Sequence, residues 1–125
     1  MSERDNICLS LADLASISSQ RRYISHATKD EYLLPEELLD NAHDCIRRMR
    51  TLPSAHGALS DAAVQAILDL EPLLLSVTNE VMKSERLVDG EPTWRALREH
   101  AARCLEAMGF DLAEWEKKEG LSNVG

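Results

Sequence analysis

The residues best suited to chemistry in this chain are two histidines and two cysteines that occur as close pairs. His43 stands two residues before Cys45 in the stretch NAHDC, and His100 stands four residues before Cys104 in REHAARC. Imidazole nitrogens and thiolates are the ligands that zinc prefers, and a structural zinc site uses four of them. The four residues could therefore form a metal site if the elements that carry them brought them together.

The helical pattern around these residues argues against that site. At about 100° per residue, Cys45 and Cys104 fall inside the apolar stripes of their helices, whereas His43 and His100 lie just beyond the edges. Zinc signatures such as paired CxxC or HExxH are absent from the sequence. We interpret both cysteines as core residues and both histidines as boundary residues, and we expect no metal, no cofactor and no catalytic residues. A nucleophilic role for Cys8 would need an activating base that the sequence does not identify.

Apolar residues recur every three to four positions along most of the chain, which predicts an all-α fold. No convincing strand pattern and no internal repeat is present, so we expect neither a sheet nor a solenoid. A length of 125 residues suits one domain with one modest core. We expect a bundle of four to five helices over residues 1–120 and a frayed C-terminal tail over 121–125.

Capping and helix-breaking residues indicate where the first two helices lie. The first is expected over roughly 7–27, with a break or kink in the run SISSQ (16–20), because Ser hydroxyls compete for the backbone. Pro35 suits the first position of a second helix. That helix should end after the arginines of residues 47–50, before Pro53.

The third helix is expected to run from Ser60 to about Glu85 and to be the longest. Pro72 should bend it or split it in two, because proline removes a backbone hydrogen bond. Beside its main apolar stripe it carries a second one, about 100° round the helix. The members of this second stripe are Val64, Leu68, Leu75 and Met82. A helix apolar on two sides must be buried on both, so it is either the central helix of the bundle, a homodimer contact or a site for another protein.

Two further helices complete the predicted bundle. Pro92 should begin the fourth, and Gly109 should follow its C-terminus. Asp111 should cap a short C-terminal helix that Gly120 closes. Within that helix Trp115 either docks the helix onto the bundle or, if exposed, serves as a binding anchor for a partner.

The charge of the chain bears on its partners and its location. The formal net charge is −8, with a sequence pI of about 4.9. An acidic surface favours basic partners and repels nucleic acid and anionic membrane, although solubility alone would also explain it. No secretory signal or membrane-spanning run is evident, and three cysteines do not suggest a disulfide framework, so we expect a cytoplasmic protein. The excess of Arg over Lys hints at a bacterial source.

These observations favour a non-enzymatic, protein-binding regulator, such as a small adaptor, inhibitor, anti-activator or immunity-type protein. Its contacts, with a second copy of the chain or with another and basic protein, would use the second stripe and Trp115. One alternative is an enzyme or ligand-binding bundle that uses His43 and His100. A second alternative is nucleic-acid binding through the basic residues of 21–29 and 47–50, which the overall acidity opposes.

Overall fold

The computed structural model describes residues 2–52 and 57–121, and every regular element within these ranges is helical, which confirms the all-α prediction. A π-helical turn, Arg21–Ser25, follows the second helix. The helices are α1 (Glu3–Ala15), α2 (Ile17–Gln20), α3 (Pro35–Thr51), α4 (Asp61–Leu68), α5 (Leu70–Leu75), α6 (Asn79–Met82), α7 (Leu87–Gly90), α8 (Pro92–Ala107) and α9 (Leu112–Lys118). In this part of the chain no helix combines the length and the apolar character needed to cross a membrane.

Helix α8 lies at the centre of the fold. It contacts α1, α4, α5, α7 and α9, while α3 packs against α1, α4 and α5. Its apolar stripe is fully buried, and Trp94 is among the largest side chains in the core. Burial of each large side chain of this kind contributes roughly 1.5–3 kcal/mol. The helix that the core surrounds is therefore the predicted fourth helix and not the predicted third.

The first predicted helix is broken where its serines cluster. Helix α1 ends at Ala15, and the backbone of Ser16 is extended. The Ser16 hydroxyl oxygen accepts the backbone N–H of Ser19 at 3.0 Å and so caps α2. The predicted break is confirmed. The helix begins earlier than predicted, because Ser2 caps it from the N-terminal side.

The third predicted helix is not one long helix bent at Pro72; it is split near that proline, which is the other outcome that the sequence predicted. Three short helices, α4 to α6, occupy this stretch, and the N-cap at Ser60 lies where we predicted it. Pro72 is the third residue of α5, where a backbone N–H would have no partner within the helix, so its absence costs little. In a continuous helix the N–H of residue 72 would have to form a hydrogen bond. Because proline has no N–H, the helix breaks before it, at Asp69. A second break follows at 76–78, where the Thr78 hydroxyl caps α6.

Proline and glycine mark the ends of the other helices as predicted. Pro35 and Pro92 stand at the first positions of α3 and α8. Pro53, the predicted stop signal after α3, lies outside the described residues. Gly109 and Gly120 follow α8 and α9 with φ of 73° and 71°, in the left-handed region that favours glycine.

The C-terminal segment begins with a buried leucine. The backbone N–H of Leu121 donates to the carbonyl of Glu116 at 2.7 Å, and the Leu121 side chain is 1% exposed. This hydrogen bond is the one that closes a glycine-terminated helix end, and the frayed tail over 121–125 stays a prediction. Residues 122–125 lie outside the described part of the chain.

Candidate functional site

The three cysteines are packing residues. Cys8, Cys45 and Cys104 are all free and buried. Burial raises the pKa of the Cys45 and Cys104 thiols to about 12, so both stay protonated at neutral pH. The prediction that these two belong to the core is confirmed, and neither has the exposed, electropositive setting of a reactive thiol.

The two histidines do not join the cysteines. His43 is exposed on α3, and half-buried His100 on α8 has its Nε2 atom 3.0 Å from the Ala66 carbonyl oxygen. Across residues 2–52 and 57–121 no group of three or more His, Cys, Asp or Glu side chains could hold a metal ion. The two histidine–cysteine pairs are therefore not brought together as ligands of one metal ion.

The second stripe of the predicted third helix does not form one surface. Val64 is 5% exposed and belongs to the core, so it offers little surface to a partner. Leu68 and Met82 are half-buried against the same core, and only Leu75, at 73%, is largely exposed. The breaks at Asp69 and 76–78 divide these four residues among three short helices. A homodimer contact through these residues stays a prediction.

The arginines of the two basic segments are paired with carboxylates. Arg50 binds Glu71 through two hydrogen bonds of 2.7 Å, and Arg21 binds Asp89 at 2.8 Å. The remaining pairs are Arg22 with Glu31, Arg47 with Asp44, and Arg48 with Glu3 and Asp44. A phosphate backbone would have to compete with these carboxylates for each guanidinium.

A buried polar cluster, which we call the polar hub, joins α2 to α7 and α8. Gln20 is 0% exposed, and its Oε1 atom accepts from Trp94 Nε1 at 3.0 Å and from Arg98 Nη1 at 3.1 Å. Its Nε2 atom donates to the carbonyls of Asp13 and Leu14 at 3.1 and 2.7 Å. All four hydrogen-bonding positions of this amide are thus used, which is the mark of a structural group.

A different arrangement occurs in an open cleft of about 510 Å³, which we call the acidic cleft. Three of the five aromatic residues of the chain line it together with four carboxylates. Its lining residues are Leu9, Asp13, Tyr23, Asp30, Glu31, Tyr32, Leu33, Trp115, Glu119 and Leu121. The volume lies in the range of ligand sites, and the lining combines apolar surface with a few charged groups, as such sites do.

Two helices line the acidic cleft through the same local pattern. Leu9 and Asp13 lie four residues apart on α1, and Trp115 and Glu119 lie four residues apart along α9 and its C-cap. Residues four apart share a helix face, so each helix presents one apolar group and one carboxylate together. The Ser16 hydroxyl donates to Glu116 Oε2 at 2.6 Å and fixes α9 against the break after α1.

A loop held by its own hydrogen bonds also lines the acidic cleft. The backbone N–H of Leu33 donates to the Tyr23 carbonyl at 2.8 Å, which joins the loop to the π-helical turn. Thr28 and Glu31 bond to each other twice, since each backbone N–H finds an acceptor on the other residue. The loop therefore holds Tyr32, 56% exposed, in the lining of the cleft.

The electrostatics of the acidic cleft favour a cation. Burial raises the pKa of the Asp13 carboxyl, the Ser19 hydroxyl that donates to it at 2.6 Å lowers it in part, and the charge of Glu119 raises it again. Within the described residues Asp13, Asp30 and Glu119 form no ion pair, whereas Glu31 lies 3.9 Å from Arg22. A positive ligand would relieve the repulsion between these carboxylates.

One residue of the cleft lining also carries a prediction from the sequence. Trp115 was predicted as a candidate anchor, and it lies half-buried in the cleft lining. The other lining residues come from segments up to about a hundred residues apart, and no single motif connects them. The apolar–acidic spacing of four shared by Leu9 with Asp13 and Trp115 with Glu119 is the one local signal that could have indicated them.

No family model, no curated protein and no solved structure matches this chain.

Proposed function

We propose that the chain is a non-enzymatic regulator that binds a basic segment of another protein in the acidic cleft. The observation that carries the proposal is the gathering of Tyr23, Tyr32 and Trp115 with four carboxylates around one opening. Aromatic side chains provide large contact areas and attract cations to their ring faces, and carboxylates provide charge-assisted hydrogen bonds. Binding alone would let such a protein act as an adaptor, an inhibitor, an anti-activator or an immunity-type protein.

The charge of the whole chain supports the same proposal. A net charge of −8 attracts a basic segment before contact and raises the rate of association. The alternative of an enzyme gains no support from the cleft, because His43 and His100 do not line it. The alternative of nucleic-acid binding loses support as well, since the cleft repels phosphate and the arginines of 47–50 are paired.

Fluorescence polarisation of a labelled peptide tests the proposal. A dodecapeptide that mixes Arg, Lys and Leu should bind, and an otherwise identical peptide with Glu for each basic residue should not. Replacing two cleft carboxylates together, Asp30→Asn with Glu119→Gln, should weaken binding about tenfold or more. Affinity should also fall as salt is raised, because the attraction is electrostatic.

A matched double variant controls for net charge. Glu80→Gln with Glu99→Gln removes two exposed carboxylates that do not line the cleft and leaves its lining unchanged. This control should bind like the unaltered chain. The proposal fails if both double variants weaken binding equally, or if the acidic peptide binds as well as the basic one.

We also propose, as a separate matter, that the chain forms a homodimer through the surface around Leu75, because this is the most exposed large apolar side chain in the described ranges. Light scattering at increasing concentration should then show a dimer that Leu75→Ser weakens. A chain that stays monomeric at every concentration, or a dimer that Leu75→Ser leaves intact, would end this proposal.

A further inference from the structure

We infer that the acidic cleft is selective for a guanidinium group, so that the contact residue of the partner segment is an arginine and not a lysine. The inference rests on the proposed function, because it specifies which cation the same cleft binds. The observation behind it is that residues at the rim of the cleft bind one arginine of the same chain.

That arginine is Arg22, and three kinds of group hold it. Its guanidinium carbon lies 5.4 Å from the centroid of the Tyr23 ring, within the distance of a cation–π contact. Its Nη2 atom lies 3.9 Å from Glu31 Oε2, and its Nη1 atom donates to the Gly120 carbonyl at 3.2 Å. Tyr23 and Glu31 both line the cleft, so the rim binds a guanidinium with an aromatic face, a carboxylate and a backbone carbonyl.

The rest of the lining repeats the same chemistry without a cation of its own. Tyr32 and Trp115 provide two further aromatic rings, and Asp30 and Glu119 provide two further carboxylates. Neither of these carboxylates forms an ion pair within the described residues, and both are exposed to an approaching ligand. Two of the three kinds of group that hold Arg22 at the rim, the aromatic ring and the carboxylate, are thus present a second time in the cleft.

Arginine suits this lining better than lysine for physical reasons. A guanidinium is planar, stacks on aromatic rings, and is more weakly hydrated than an ammonium group, so it loses less when it enters a partly apolar cleft. Its fork of N–H donors can bind a carboxylate through two parallel hydrogen bonds. The aliphatic part of the side chain would contact apolar lining such as Leu9 and Leu33.

Nuclear magnetic resonance offers a test with an internal control. The probe is the capped pentapeptide Gly-Leu-Arg-Leu-Gly, compared with peptides carrying lysine or neutral citrulline in place of arginine. The indole N–H of Trp115 reports on the cleft, and the indole N–H of Trp94, which is bonded to Gln20, reports on the interior. The arginine peptide should shift the Trp115 signal, leave the Trp94 signal unchanged, and bind about tenfold more tightly than the lysine peptide.

Substitutions of single lining residues test whether the arginine peptide binds in the acidic cleft. Tyr32→Leu and Glu119→Gln should each weaken the arginine peptide by at least about threefold, and Glu80→Gln, outside the cleft, should not. Urea unfolding of each variant checks that the fold is intact. Equal affinities for the arginine and lysine peptides would overturn this inference and leave the proposed function standing. A Trp115 signal that no basic peptide shifts would overturn both.

Discussion

The polar hub and the acidic cleft use similar groups in opposite ways. In the polar hub, the buried amide of Gln20 meets two donors and two acceptors, and every side-chain nitrogen and oxygen buried within the described residues has a partner. In the acidic cleft, the carboxylates of Asp30 and Glu119 face solvent and form no ion pair in the described ranges. Saturated polar groups hold a fold together, whereas accessible ones remain able to bind a ligand.

Asp13 belongs to both the polar hub and the acidic cleft. Its backbone carbonyl accepts from Gln20 Nε2 at 3.1 Å, while its side chain lines the acidic cleft. The polar hub therefore fixes the position of one cleft residue through the main chain. Variants in the polar hub should lower the free energy of unfolding, and variants in the cleft should chiefly affect binding.

The largest expected effect comes from removing the centre of the polar hub. Gln20→Ala leaves Trp94 Nε1, two backbone carbonyls and one contact of Arg98 without their partner. We expect a loss of about 3 kcal/mol in the free energy of unfolding, measured by urea denaturation. Gln65→Ala is the matched control, since this exposed amide bonds only Asp69, and a change under about 0.5 kcal/mol is expected. Equal losses for the two variants would contradict the structural role of the polar hub.

A smaller loss is expected from Gly120→Ala at the edge of the acidic cleft. The φ of 71° at Gly120 is strained for alanine, so the free energy of unfolding should fall by about 1 kcal/mol. The added Cβ would lie 3.9 Å from Arg22 Nη1, an ordinary contact, so strain and not a clash is the cause. Gly57→Ala, where a Cβ meets nothing within 4 Å, should be nearly neutral in thermal or urea unfolding. An unchanged Gly120→Ala protein would refute the left-handed helix end.

The pH dependence of stability should reveal the burial of Asp13. Burial raises the pKa of its carboxyl in the folded chain, so the folded chain keeps a proton that the unfolded chain loses from about pH 4 upward. The contribution of this group to the free energy of unfolding is therefore greatest below pH 4 and declines as the pH rises through the folded pKa. Asp13→Asn should flatten that decline, whereas Asp40→Asn on the exposed face of α3 should not. A profile that Asp13→Asn leaves unaltered would contradict the assignment.

The smallest change in stability is expected from Glu119→Gln. This carboxylate is exposed and forms no ion pair within the described residues, so the free energy of unfolding should change by less than about 0.5 kcal/mol. Urea unfolding measures this value on the same samples that are used for peptide binding. A large destabilisation would show that the cleft is part of the scaffold, and the distinction between the two regions would be lost.

Local signals predicted the helix ends that depend on one residue type. Pro35, Pro92, Gly109 and Gly120 each stand where the sequence placed a start or a stop, because their backbone preferences hold in any surroundings. The serine-rich break near Ser16 was predictable for the same reason. Such signals predicted most of the helix ends of α3, α8 and α9.

The breaks in the third predicted helix could not be derived from its apolar pattern. Ile67, Leu70 and Leu74 keep helical spacing across the break at Asp69, and all three are buried, so the periodicity continues where the hydrogen bonding does not. The acidic cleft escaped prediction for another reason. Tyr32 and Trp115 line the same cleft only because distant segments pack together, and the residue pattern along the sequence does not indicate which segments do so.

The burial of all three cysteines has a practical consequence for work on this molecule. Thiol reagents act on accessible thiolates, and the pKa of about 12 for Cys45 and Cys104 leaves almost none of these thiolates to react. A single cysteine introduced on the exposed side of α9, by Lys118→Cys, would then be the preferred attachment point for a fluorophore or a cross-linker. Captured neighbours could be mapped from that position while the native sulfur atoms stay in the core.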